Sequence, residues 1–211
     1  MDLLDFFIHS RAEIANLLLE HIWLVGVSML LAIVIGLPLG IALTRSPRLR
    51  APVLGSANIL QTIPSLALFG FLLPAPWIGA RADRLAITAL TLYALLPIIR
   101  NTYVGITGVD PALREAATGM GMTPRQMLWQ LELPLALGVI IAGVRVATVI
   151  CVGVATIAAA VGAGGLGEFI FRGVAMVNND LILAGAVPAA LLAIVADLGL
   201  GLVERKLKPA T

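Results

Sequence analysis

An all-α, polytopic membrane fold with five crossing helices is what this sequence predicts, and three observations predict it. Of the 211 residues, 60% are hydrophobic and only 12% are charged, against about 25% charged in an average soluble domain. The mean hydropathy is +1.02, and so short a chain has too little interior to hide that much apolar surface in one globular core. The apolar residues also fall in runs long enough to cross a bilayer core of ~30 Å, which takes about 20 residues of helix. Lipid is therefore the solvent for most of the chain.

Residues 1–21, MDLLDFFIHSRAEIANLLLEH, hold Asp2, Asp5, Glu13 and Glu20. They lack the basic start and small-residue cleavage site of a secretion signal, and read as an amphipathic helix on the outer membrane surface. A single transmembrane domain follows over 22–204, with spans at about 22–44, 53–73, 85–104, 135–161 and 181–203. Pro38, Pro64, Pro97 and Pro188 fall inside spans, which membrane helices tolerate when neighbours re-satisfy the freed backbone groups. Pro64 predicts a kink that frees a carbonyl near Leu60. Residues 205–211 form a basic tail.

Lysine and arginine set the orientation. Arg45, Arg48 and Arg50 follow span one, Arg114 and Arg125 lie in the loop after span three with Arg100 near its start, and Arg205, Lys206 and Lys208 follow span five. These groups alternate onto one face, the cytoplasm. Arg11, Arg81, Arg84 and Arg172 fall on the other face, each with acidic residues nearby. The expected N-terminus is outside the membrane and the C-terminus inside.

The loop 110–134 interrupts the apolar runs with local structure. Asp110 can cap a helix whose first residue is Pro111, since an aspartate oxygen accepts an orphan N–H and proline there loses none. Thr123, Pro124 and Gln126 spell a second start with a capping box. Gly119 and Gly121 suit the stop and turn between them. The expectation is a cytoplasmic hairpin of two short helices, with Pro134 opening span four. Its Met120, Met122, Met127 and Trp129 would present an apolar surface to a partner's groove.

The polar residues inside spans are few. Asn58, Gln61, Thr62 and Ser65 recur at helical spacing beside Pro64, which places them on one face of span two. That stripe avoids lipid, either by bonding other helices or by lining a translocation path. Arg145 lies eleven residues past Pro134, about 16 Å along a helix, and Asp197 seven residues before Glu204, about 10 Å. An ion pair between spans four and five is expected, with a structural or a gating role. Gly36 and Gly40 form a GxxxG, a site for close helix contact.

Other chemistry is excluded or unsupported. A net charge of +2 with scattered basic residues offers no nucleic-acid surface. Cys151 is alone, so no disulfide within the chain and no metal cluster is expected, and His9 and His21 read as ordinary helix-end residues. The GAGGLG of residues 162–167 fits the dinucleotide pattern, but the run before it is too long for a strand. It reads as a turn at the outer mouth where glycines let backbones approach. Gly-Lys never occurs, so there is no phosphate-binding loop of the ATPase kind, and no nucleophile–base constellation is present.

Glu115, Ala116, Ala117, then Gly121, then Leu131, Leu133 and Pro134 carry a specific spacing over twenty positions. It resembles the signature of the membrane subunits of binding-protein-dependent ABC importers, with Leu131 in place of the usual isoleucine. The resemblance implies that Glu115, Ala116, Ala117, Gly121, Thr123, Leu133 and Pro134 form the coupling site for cytoplasmic ATPase subunits. It also implies a second permease subunit, identical or related, and an extracytoplasmic solute-binding protein. The chain itself would need no cofactor, since ATP and Mg would sit on the partner ATPase. QTIPSLALFGFLLP, residues 61–74, looks like permeases for glycine betaine, carnitine and choline, whereas VGAGGLGEFIF, residues 161–171, also resembles methionine and phosphonate importers. The low aromatic content, 5%, suits selection by another chain, because quaternary amines are recognised on ring faces. An ion-driven secondary transporter is the alternative of another class. It would show more intramembrane carboxylates and inverted repeats. A non-transporting scaffold would not need the polar stripe.

Overall fold

The computed structural model describes residues 8–207, and every regular element among them is helical. In chain order these are α1 (Arg11–Arg45), α2 (Pro47–Thr62), α3 (Ser65–Leu72), α4 (Ala82–Thr107), α5 (Pro111–Gly119) and α6 (Pro124–Gln126). A π-helical segment (Met127–Glu132) leads into α7 (Leu133–Ala158), followed by a 3-10 turn (Ala159–Val161), α8 (Gly167–Met176) and α9 (Asn179–Leu207). Four helical stretches, Arg11–Arg45, Ala82–Thr107, Pro124–Val161 and Asn179–Leu207, are long and apolar enough to cross a membrane. The α2–α3 pair, bent by 106°, passes the same test of length and composition only when its two helices are taken together as one broken span.

The bundle is organised around α4, which packs on α1 along one side and α7 along another. Small residues set both approaches. A Cβ on Gly40 would lie 2.5 Å from Thr102 Cβ, and one on Gly36 would lie 2.9 Å from Ile98 Cγ2, so the GxxxG faces α4. On the other side, a Cβ on Gly143 would lie 2.5 Å from Asn101 Cβ. The core between these helices gathers Leu24, Phe69, Leu85, Leu90, Ile98 and Cys151.

Three expectations change in three dimensions. The N-terminal segment 1–21 is not a separate surface helix over its described part: residues 11–21 continue without a break into the first span, as one helix of 35 residues. At 1.5 Å per residue that is about 52 Å, well beyond the ~30 Å bilayer core. Leu17 packs into a second, smaller core with Leu166, Phe169 and Leu181, so tertiary contacts continue the helix. Residues 1–7 of that segment, and 208–211 of the basic tail, lie outside the described residues.

Span 53–73 is not one helix. Ile63 and Pro64 are both extended, with ψ of 126° and 137°. Proline disfavours the helical region for the residue before it, and two extended residues in succession turn the chain. The kink expected at Pro64 is thus a full break. Two bonds tie the break to α4: the Tyr93 hydroxyl donates to the Ile63 carbonyl, and in the other direction Gln61 Nε2 donates to the Tyr93 carbonyl of α4 at 3.0 Å.

His21 is not a helix-end residue. It is fully buried in the middle of α1, with Nε2 3.2 Å from the Val152 carbonyl of α7. Gly165 lies directly over its ring, since a Cβ there would fall 3.2 Å from His21 Nδ1. The neighbouring Glu20 Oε2 accepts the Gly165 N–H at 3.1 Å. Gly162, Gly164 and Gly165 all have φ near +80°, a conformation that favours glycine. The glycine-rich turn is therefore packed tightly on α1.

Candidate functional site

The hairpin end of the bundle is the most elaborately specified surface in the molecule. Asp110 caps α5 by accepting the Ala112 N–H at 2.8 Å. After α5, Gly121 turns the chain with φ +79°. The Met122 N–H donates to the Ala117 carbonyl at 3.1 Å, and the Gly121 N–H to the Thr118 carbonyl at 2.9 Å. This is a complete Schellman closure, so Gly121 rather than Gly119 makes the stop. Thr123 and Gln126 then form a reciprocal capping box.

The second helix departs from the expected short, separate piece. Pro124 to Val161 runs as one helical stretch of 38 residues, with the π segment inside it. Pro134 therefore does not open a span but sits in the first turn of α7. Its ring has no N–H to give and crowds the carbonyl four residues back, which suits a locally widened turn. The mechanical result is a hairpin arm continuous with a crossing helix.

The signature residues divide by exposure. Ala117 lies on the buried face of α5, Leu133 is half-buried, and Glu115, Ala116, Gly121, Thr123 and Pro134 are exposed. Met120 and Trp129 stand out at 76% and 62% exposed, whereas Met122 and Met127 are half-buried rather than exposed. Thr123, Arg125, Gln126, Trp129 and Gln130 line an open groove of about 390 Å³. The Glu115 side chain makes no hydrogen bond or ion pair with any described residue of the chain.

The internal anchor is Glu132, a residue that the sequence reading passed over. It is 1% exposed. Its Oε2 accepts from Arg45 Nη2 at 2.5 Å, and its Oε1 lies 3.3 Å from Arg114 Nε. The available signal was a single carboxylate in the apolar run Leu131-Glu132-Leu133-Pro134, beside arginines read only for orientation. A buried charge needs a partner, and two were at hand.

The polar residues of span two do not form one face. Asn58, Gln61 and Thr62 lie on α2 and Ser65 begins α3 beyond the 106° bend. Gln61 is tied to α4 as above, Thr62 Oγ1 donates to the Ile59 carbonyl at 2.7 Å, and Asn58, Thr62 and Pro64 are exposed. The Arg145–Asp197 pair, in contrast, is present as a two-pronged contact. Nε and Nη2 of Arg145 on α7 donate to the two Asp197 oxygens on α9 at 2.5 and 2.6 Å. Glu204 Oε2 adds a third contact with Arg145 Nη1 at 3.4 Å.

These features define a class: an all-helical, multi-pass membrane protein with a rigid, capped hairpin projecting from one end of its bundle. The chain belongs to the family of binding-protein-dependent transport system inner membrane components, whose model matches residues 32–209. As a member it is a permease, the non-catalytic subunit of such a system. It is 44% identical to a carnitine transport permease, OpuCB, of Listeria monocytogenes, over 99% of this chain and 95% of that one. It is 42% identical to a choline transport system permease, OpuBB, of Bacillus subtilis, over 99% and 94%. An osmoprotectant import permease, OsmW, of Salmonella typhimurium is 45% identical over 93% of each chain. Among solved structures, the MetNI methionine ABC transporter in an inward-facing conformation matches with TM-score 0.81 and 26% identity, covering 89% of this chain and 93% of that one. An amino acid ABC transporter crystallised with histidines shares the fold, with TM-score 0.75 and 18% identity over 98% and 99%.

Proposed function

We propose that this chain is the permease of an ATP-driven importer for quaternary-amine compatible solutes of the glycine betaine, carnitine and choline type. One observation carries the solute class: identity of 42–45% over at least 93% of the chain to three permeases named for carnitine, choline and osmoprotectants. In this reading the hairpin end lies in the cytoplasm, the N-terminus outside, and 22–204 is the transporting domain. Two permease chains, identical or related, surround the path. A binding protein delivers solute at the outer face, while ATP and Mg are held by two ATPase subunits. Their closure moves the hairpins, and each hairpin moves α7 because Pro124–Val161 is one stretch.

In the coupling site, Asp110, Thr123 and Gly121 give the arm its rigidity. Glu115, Ala116, Met120 and Trp129 supply its outward face to the ATPase, and Leu133 and Pro134 join it to the bundle. Asn58, Gln61, Thr62, Pro64 and Ser65 border the path at the α2–α3 break. A methionine-class solute is the second reading, favoured by the likeness to MetNI. The solute is tested by screening the cognate binding protein against glycine betaine, carnitine, choline and methionine. Binding of methionine alone would transfer the assignment. Coupling is tested with Gly121→Asp. A Cβ there meets open space, and aspartate tolerates positive φ better than most residues. Expression should persist, and copurification of the ATPase and uptake should both be lost. Normal uptake would discard the coupling role of the hairpin.

A further inference from the structure

Glu132 lies beneath the exposed face of the hairpin, and its surroundings open a second route for motion. Arg45, its partner at 2.5 Å, is the last residue of α1. Arg114, its partner at 3.3 Å, belongs to α5 and donates through Nη2 to the Ile106 carbonyl in the last turn of α4. One carboxylate, at the final residue of the π segment, thus meets the end of α1 directly and the end of α4 through Arg114 of the hairpin. Widened π turns inside α-helices concentrate at functional positions.

The two contacts differ in kind. The Arg45 contact is a charge-assisted hydrogen bond, the strong class. Arg114 Nε is buried and has no aligned acceptor, although Glu132 Oε1 is only 3.3 Å away. A buried donor left unmade is costly, and a small rotation of α5 would align it. The joint is therefore firm towards α1 and slack towards α5.

We propose that Glu132 is a positioning residue for coupled transport. It passes displacement of the hairpin to the end of α1 through Arg45, and its contact with Arg114 aligns when the hairpin is pushed against the bundle. This rests on reading the chain as an ATPase-coupled permease. Without the link, α7 would carry the motion alone, and α1, packed along α4, would lag behind.

The test uses the assembled importer in liposomes, with its ATPase and binding protein, following glycine betaine uptake and ATP hydrolysis separately. Glu132→Gln keeps the side chain's size and one acceptor. It should retain the ATPase and hydrolyse ATP while uptake per ATP falls about tenfold, within the usual range of a coupling between sites. Arg45→Gln should give the same split, and Glu132→Asp, which keeps the charge, should recover part of the uptake. Spin labels at Gln130→Cys, on the segment that carries Glu132, and Ala42→Cys, near the end of α1, should hold their separation on ATP binding in the otherwise unmodified permease and change it in Glu132→Gln. Uptake and hydrolysis falling together, unchanged uptake in both variants, or a label separation that already shifts without the variant would overturn the proposal. If Glu132→Gln does not fold, Arg45→Gln and the label measurement on the unmodified background still decide it. Failure of the unmodified permease to hold an ATPase at all would instead sink the parent reading, and this one with it.

Discussion

Two arginine–carboxylate networks tie distant parts of this chain, with opposite composition. At the base of the hairpin, one carboxylate, Glu132, serves two arginines, Arg45 and Arg114. Between α7 and α9, one arginine, Arg145, serves two carboxylates, Asp197 and Glu204. The first has a buried centre, the Glu132 side chain being 2% exposed, while Arg145 and Asp197 are each about one third exposed. The second has the better geometry, a parallel pair of donors on one carboxylate. The difference teaches what each is for. A two-pronged contact between two helices is a weld. A single buried carboxylate shared by three segments is a joint, and removing it releases all of them.

The largest expected effect comes from deleting the joint. Glu132→Ala leaves two guanidinium groups without their carboxylate; breaking a fully buried pair costs about 3–5 kcal/mol, and the partial exposure of Arg45 and Arg114 brings the expected loss below that range. Thermal unfolding in detergent reads it. A midpoint unchanged from the parent protein would reduce Glu132 to an ordinary surface charge. Arg145→Met should lower the midpoint less, because its carboxylates can reach polar surroundings. The double change Arg145→Met with Asp197→Leu should sit above the single one, since it no longer strands Asp197. A double variant no better than the single would mean that the two residues do not act as one unit. Thr123→Ala, which removes a helix cap without touching either network, should cost about 1 kcal/mol. Hydrogen exchange of the α6 amides would show it, and protection equal to the parent's would deny the cap its role. Glu204→Gln should be smallest, because its contact is the longest of the set at 3.4 Å. A fall as large as that of Arg145→Met would make Glu204 a full member of the weld.

Much of the architecture and half of the candidate site were legible in the residues. Asp110, Thr123 and Gly121 each act on backbone groups within three residues, so their effect can be read from local order alone. Arg145 and Asp197 were legible for another reason. A charge inside a span must find a partner, and these two lay at comparable distances from the same face. Glu132 was missed because it stood among charges that already had a use in setting orientation. The polar stripe of span two was misjudged because helical spacing holds only while the helix continues, and Ile63–Pro64 ends it.

By itself, then, the sequence determined that most of the chain is apolar helix, where the two hairpin helices start, and that a glycine turns the chain between them. Those outcomes depend on transfer free energies and on hydrogen bonds spanning a few positions. Only the tertiary structure decided that α1 continues through residues 11–21, that Gly36 and Gly40 face α4, and that Tyr93 holds the break in span two. It also decided that Glu132 would collect an arginine from 87 residues away. Such outcomes depend on which helix surfaces meet, and that is settled by the packing of the whole bundle rather than by any short run of residues.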